Sequence, residues 1–581
     1  MDHDSVLPLH SPSNSLEYPP ISLMTPDRPA SPVEAPKARG IAQLTVHIPS
    51  AFKGNVLSTN ANEQHPPPRW NSSEFWLYYL VAFFAIPTMI WIPVSLSQSS
   101  HRNYPFYASR LSSGWLFGRF IDNSDVQYRS FRDNVPLLVN AALGYLLIKY
   151  IAKRLTRASP SSLHLIPLEV ALSLGMILAL HGSSAVKLLA ILTVNFVLAR
   201  KFRGSRLGPT FTWIFNGAVL FSVEIFHGYR FGSILPGLAA LDSFSGVYPR
   251  WHIIFNITML RLISFNMDHY WFCRQSDVLS EKQRVSVSHR EEDYSVVNYL
   301  AYVLYPPLYI AGPIITFNDF MWQHKRPLKI GTRFKIMYLI RFIFCFLTME
   351  FILHFMYMVA IKDRKAWVGD SPAEIAMIGF WNLIIVWLKL LIPWRFFRLW
   401  ALLDGIDPPE NMVRCMANNY SAFGFWRSWH RSYNLWIIRY IYIPLGGAKN
   451  VLMNTLLVFS FVALWHDLTF RLLAWGWLIS LFVVPELIAT YILPPKKYGQ
   501  YWWFRHVCAV GGVLNILMMM AANLVGFVVG TDGVKFFFSQ LFGTWEGIRF
   551  MVLCSFCLFV GVQFMFEYRK EELRQGIVRR C

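Results

Sequence analysis

Residues 425–447 read FWRSWHRSYNLWIIRYIYIPLGG, and after a short link residues 451–467 read VLMNTLLVFSFVALWHD. The second stretch is apolar until it ends on Trp465, His466 and Asp467. Such a run belongs in a membrane, and an ionisable side chain at membrane depth costs roughly 2.5–3.5 kcal/mol on insertion scales. His466 is therefore a functional candidate from the outset. His430 lies in the first stretch, among Arg427, Arg431 and Arg439, and like His466 it follows a tryptophan, here Trp429.

The rest of the chain agrees with the membrane reading. Of its 581 residues 54% are hydrophobic, and the mean hydropathy is +0.35. Aromatics make up 16%, with 22 tryptophans, and Trp and Tyr concentrate where an apolar ring meets a wet polar edge, at membrane interfaces. A net charge of +20 suggests nucleic acid in a soluble chain. Here the basic residues lie between apolar spans, so lipid headgroups are the expected anionic partner and no nucleic acid is implied. Among seven cysteines, Cys554 and Cys557 form a lone CxxC inside an apolar run, where sulfur packs as a small apolar group. No disulfide scaffold is expected.

Three regions follow. Residues 1–70 are rich in proline and serine, lack any apolar run long enough for a core, and read as a disordered tail. They also lack the basic and apolar regions of a signal peptide, so Phe75–Leu96 reads as an uncleaved anchor of spanning length. Residues 71–566 hold the membrane domain, an all-α, polytopic bundle with about 11–13 membrane segments by apolar run length. Residues 567–581 form a basic tail, expected in the cytosol. One apolar stretch, YLAYVLYPPLYIAGPIITFNDF at 299–320, is broken by Pro306, Pro307, Gly312 and Pro313. Such breaks survive in a membrane only where protein or a cavity satisfies the freed backbone groups, so it is expected to line an internal chamber. No internal repeat is visible.

Each candidate site has an ordinary reading beside the functional one. A neutral imidazole at His466 near a hydroxyl is a general base, worth roughly 10²–10⁴ in rate; the alternative is a helix-end histidine bonded to Asp467 or a carbonyl. At His430 the arginines offer planar forks suited to phosphate or carboxylate, or merely touch lipid phosphate at the interface. A metal held by the two histidines is not expected, since no His-x₃-His pair or cysteine accompanies them. His181 reads as a hydrogen-bonded packing residue, and Glu350 with His354, four apart on one helix face, as an interior couple. There is no GxSxG elbow, no GxxxxGK[ST] loop and no HxxxxD pair. Serine hydrolysis and nucleotide hydrolysis therefore lack their machinery. Asn71, Asn256 and Asn419 head NxS/T sequons, usable only on a lumenal face.

Four stretches together resemble the membrane-bound O-acyltransferase (MBOAT) family: GWLFGRFIDNSDVQYRSFRDN (114–134), YPPLYIAGPIITFNDF (305–320), LLIPWRFFRLWALLDGIDPPENMVRC (390–415), and the opening pair. The first and third are similar to the fungal glycerol-uptake branch, whose members remodel glycosylphosphatidylinositol (GPI) anchors. The resemblance implies a helical bundle with an internal tunnel, in which acyl-CoA enters from the cytosol and the acceptor from the lumen. It makes His466 the histidine that the family carries in an apolar helix, and His430 the polar-segment position, both catalytic. Arg427, Trp429, Arg431, Asn434, Trp465 and Asp467 become candidates for substrate binding. Acyl-CoA is then a co-substrate and no cofactor is needed. The implied acceptor is the sn-2 hydroxyl of a lyso-GPI lipid, in the endoplasmic reticulum membrane or else the plasma membrane. Competing readings are a proton-coupled glycerol transporter, a non-enzymatic regulator of lipidation, and an acyltransferase with a protein acceptor.

Overall fold

The computed structural model describes residues 67–156, 161–275, 283–447, 451–528, 530–575 and 577. Nearly all of the Pro/Ser-rich tail therefore lies outside the described residues. The architecture is helical, with a single two-stranded hairpin among the described residues, Leu111–Ser113 against Phe120–Asp122.

The helix Pro372–Asp404 shows how local sequence sets an element. Ser371 accepts the Glu374 N–H while Glu374 reaches back to the Ser371 N–H, a reciprocal cap with proline at the first helical position. Gly405, at φ 97°, ends it with the left-handed turn that glycine adopts most readily. This is the most enclosed of the candidate spans, with 61% of its apolar window buried, so it runs inside the bundle rather than along lipid.

Eight helices are long and apolar enough to cross a membrane, and Met453–His466 is apolar but shorter. Three more of spanning length, Ser184–Lys201, Leu207–Ile225 and Trp251–Arg274, bring the set to the lower end of the expected 11–13. Trp251–Arg274 escapes the apolar criterion for a physical reason. Arg261, Ser264, Asn266, Asp268 and His269 are all buried in it, facing protein rather than lipid. The last helix, Trp545–Arg574, continues through the first part of the basic tail. There buried Glu567 accepts from Arg505, Arg574 and the Arg69 N–H.

The broken stretch explains that polar helix. Helix Val296–Val303 stops, Pro306–Tyr309 makes one turn, and a further turn and irregular backbone follow until Phe317–Lys325. Almost all of it is buried, so its freed backbone groups need internal partners. Arg261, fully buried, donates to the Val303 and Leu308 carbonyls. Ser264 Oγ accepts the Phe317 N–H at 3.2 Å, and Asp268 the Asn318 N–H at 3.1 Å. Ser432 Oγ accepts the Ile314 N–H at 2.9 Å, tying the break to the segment that carries His430.

Other polar candidates settle into structural roles. His181 bonds the Tyr248 carbonyl and the Tyr309 hydroxyl at 2.9 and 3.0 Å, as a packing histidine should. Glu350 and His354 are both buried and are tied together, His354 Nδ1 bonding the Glu350 carbonyl at 2.6 Å, while both side chains also reach the hairpin loop. Glu350 accepts from Trp115 Nε1 and the Tyr128 hydroxyl, and His354 Nε2 accepts the Trp115 N–H. Of the sequons, Asn419 is buried with its amide on the Cys415 carbonyl, Asn256 bonds the Trp465 carbonyl, and Asn71 is exposed.

Two large apolar clusters build the body. One includes Phe265, Tyr309, Tyr433, Trp436 and Trp465, and the other Met349, Ile392, Trp394 and Trp400. They meet where His430 lies.

Replacing Arg261 with leucine strands two buried carbonyls, each at about 1–3 kcal/mol. Arg261→Leu is therefore expected to lower the thermal unfolding temperature of the detergent-solubilised protein sharply. A variant melting with the wild type would show that the break is satisfied some other way.

Candidate active site

The His430 segment is held from both ends before its imidazole is placed. Ser421 caps the short helix Ala422–Ser428, its Oγ accepting the Gly424 N–H at 3.0 Å. Glu486, on the span Phe470–Ile492, receives the Ser421 hydroxyl and the Ala422 N–H, placing a carboxylate at the positive end of that helix. The helix stops at Trp429, and the next, Arg431–Ile437, starts at once. His430 is the corner between them, at φ 45° and ψ 48°. Left-handed backbone at a non-glycine residue costs roughly 1–2 kcal/mol and persists only where its surroundings insist on it. Asn411 supplies that insistence: its carbonyl accepts the Arg431 N–H and its Oδ1 the Ser432 N–H, at 3.0 and 3.1 Å.

The corner aims the imidazole into an aromatic slot. Trp394 stacks on it at 4.6 Å with only 9° between planes, and Tyr433 leans in at 5.2 Å. Trp465 stands 6.5 Å from the His430 ring and 4.7 Å from the His466 ring, between the two. Trp465 is itself fixed by an exchange with Asn256, indole N–H to the Asn256 carbonyl and Asn256 amide to the Trp465 carbonyl.

His466 ends the helix Val451–His466. Its surroundings are as crowded with protein atoms as those of a core residue, yet the residue is exposed. The ring is therefore reachable by a small molecule although protein crowds around it. Among the described residues no hydrogen bond reaches either imidazole, and none joins His466 to Asp467. Tyr433, 4.4 Å from Trp465 and almost fully buried, has a hydroxyl without a hydrogen-bond partner among the described residues. A buried polar atom left unpaired is uncommon in folded proteins. Here two imidazoles and a phenol stand together with hydrogen-bonding capacity to offer a substrate.

The other candidates divide. Arg427 is exposed beside Phe423, with no carboxylate paired to it among the described residues. Arg431 is buried. Arg439 points elsewhere, to Asp268 at 3.0 Å over the face of Trp271, so its charge is neutralised within the scaffold. Trp429 stacks on Phe425. Asn434 follows one turn after His430, whose carbonyl takes its N–H. Trp394 and Tyr433 were not picked out from sequence. An aromatic residue in an apolar or aromatic-rich run looks like any packing residue, and only the fold brings these two to His430.

The strained corner makes a separable prediction. Asn tolerates left-handed backbone whereas a β-branched residue does not. His430→Asn is expected to unfold within a few degrees of the wild type, and His430→Val to lose roughly 1–2 kcal/mol, read by thermal unfolding in detergent. Equal stability of the two variants would mean that the corner is not strained.

The profile described as MBOAT, membrane-bound O-acyltransferase family, matches residues 212–531, a range that holds both histidines. Membrane-bound O-acyltransferase GUP1 of Candida tropicalis is 46% identical over 540 residues, covering 89% of this chain and 91% of that protein. The protein of that name from Saccharomyces cerevisiae is 46% identical over 541 residues, covering 90% and 95%. Its Schizosaccharomyces pombe counterpart is 40% identical over 562 residues, covering 91% and 96%.

Proposed function

This chain belongs to the membrane-bound O-acyltransferase family, and from that premise we propose that it moves a long fatty acyl group from acyl-CoA to the sn-2 hydroxyl of a lyso-GPI lipid, in the endoplasmic reticulum membrane. His466 is the general base. A ring nitrogen takes the proton of the acceptor hydroxyl as its oxygen attacks the thioester carbonyl. The carbon–sulfur bond then breaks, the imidazolium returns the proton to the departing thiolate, and the products are the ester and free CoA. His430 orients the reacting groups, and the Tyr433 hydroxyl donates to the thioester oxygen as negative charge develops there, the kind of prepositioned donor that lowers acyl-transfer barriers. Arg427 and Arg431 attract the CoA phosphates. Trp429, Asn434, Trp465 and Asp467 shape the wall along which the substrates lie.

The observation that carries this reading is the placement of His466, which makes no hydrogen bond among the described residues, stays accessible although protein crowds around it, and neighbours His430 through Trp465. Enclosure also brings donor and acceptor together and keeps water from the thioester. The lyso-GPI acceptor rests on the resemblance to the fungal branch and on no residue contact.

The test uses microsomes from cells lacking the native protein, supplied with labelled acyl-CoA and lyso-GPI. Wild-type protein is expected to restore labelled GPI lipid. His466→Ala should lose at least roughly a hundredfold, the lower part of what a general base supplies. Tyr433→Phe should lower kcat by about 10-fold or more, below the full loss of an oxyanion donor, with little change in KM. Undiminished transfer by His466→Ala would overturn the mechanism. Label appearing on protein in place of lyso-GPI would overturn the acceptor.

A further inference from the structure

Away from the two histidines, three different metal-binding side chains converge where the polar helix Trp251–Arg274 leaves the bundle. His269 and Cys273 are one turn apart on that helix, and Glu291 opens the short turn Glu291–Tyr294. One donor atom from each lies within 4.8 Å of the others. His269 is fully buried, and among the described residues neither ring nitrogen makes a hydrogen bond. Its Nε2 faces Glu291 Oε2 at 3.6 Å, too far for a hydrogen bond. Tyr294 lies along the imidazole at 4.7 Å and fixes its plane.

The surroundings are those of a supported ligand set. Glu291 Oε1 is held by Arg200 and Arg203 at 2.7 and 2.5 Å, which leaves Oε2 turned toward His269. Outer partners that orient a ligating group in this way are the rule at metal centres. Gly204, at φ 67°, brings its backbone against Cys273, where an added Cβ would sit 3.2 Å from the cysteine Cβ. The fourth side is open: Arg203, Ser205, Cys273, Gln275 and Glu291 line a pocket of about 740 Å³.

We propose that His269, Cys273 and Glu291 bind one divalent, borderline-soft cation, zinc foremost, with its fourth position open to that pocket. The donor set of one imidazole nitrogen, one thiolate and one carboxylate oxygen suits zinc rather than magnesium or calcium, which take oxygen ligands. Zinc holds such donors at about 2.0–2.3 Å in a tetrahedron, so the three groups draw together around the ion, which supplies a partner for one nitrogen of the imidazole. On binding, Cys273 gives up its thiol proton to solvent. The ion then ties the end of the Trp251–Arg274 helix to the turn at Glu291–Tyr294.

The experiment takes the full chain purified in detergent, strips it with chelator and titrates it with cobalt(II) and then zinc(II). The wild type is expected to show a thiolate-to-cobalt charge-transfer band with tetrahedral visible bands, saturating at one ion per chain and bleached by zinc. Zinc should also raise its unfolding temperature. Cys273→Ser should lose the charge-transfer band and the thermal response, and His269→Ala should bind weakly. Absence of the thiolate band in the wild type overturns the proposal even if the variants fail to fold, as does its survival in Cys273→Ser.

Discussion

Backbone that leaves a helix at membrane depth must find its hydrogen bonds inside the protein, because lipid offers none. The broken stretch around Pro306 and Gly312 meets that demand through the Trp251–Arg274 helix. Arg261 serves two carbonyls, and Ser264 and Asp268 serve two amides. The same helix reaches the segments that carry His430 and His466. Asp268 holds Arg439 and Tyr440, and Asn256 clamps Trp465 beside His466. A helix with this many buried polar groups is costly in a membrane, and its function is to make an irregular interior possible.

That interior is where the chemistry has room. His430 sits at the seam of the two apolar clusters, stacked on Trp394 of one and neighboured by Tyr433 and Trp465 of the other. Its backbone is strained and pinned by Asn411, while its ring and that of His466 have no hydrogen-bond partner among the described residues. Rigid backbone with unused side-chain hydrogen bonding is the reverse of ordinary core packing. It is the arrangement required where the missing partner is a substrate, since a prepositioned group need not reorganise during the reaction.

Much of this was legible beforehand, and for identifiable reasons. Proline and glycine in an apolar run announce a break that protein must cover, and the covering is observed. A lone histidine at the end of an apolar helix stood out because charge is costly there. Less was legible about pairing. Glu350 and His354 share a helix face and are tied through the Glu350 carbonyl, but that each side chain also reaches the hairpin loop at Trp115 was not legible. Arg439 sits close to His430 in sequence but the helical turn carries it to Asp268. The apolar criterion finds only eight spans among the described residues, because a helix buried among protein can carry the polar residues that Trp251–Arg274 does.

Local composition and order determined that this chain enters a membrane as helices, where those helices begin and stop, and which imidazoles are out of place. Those properties depend on apolar run length, caps and the cost of charge, all carried by neighbours in sequence. Tertiary structure alone decided that Trp394, Tyr433 and Trp465 surround His430, that Asn411 bends its backbone, and that His269, Cys273 and Glu291 meet. Each of these joins residues from separate elements, and distances between elements are set by packing, which no local pattern encodes.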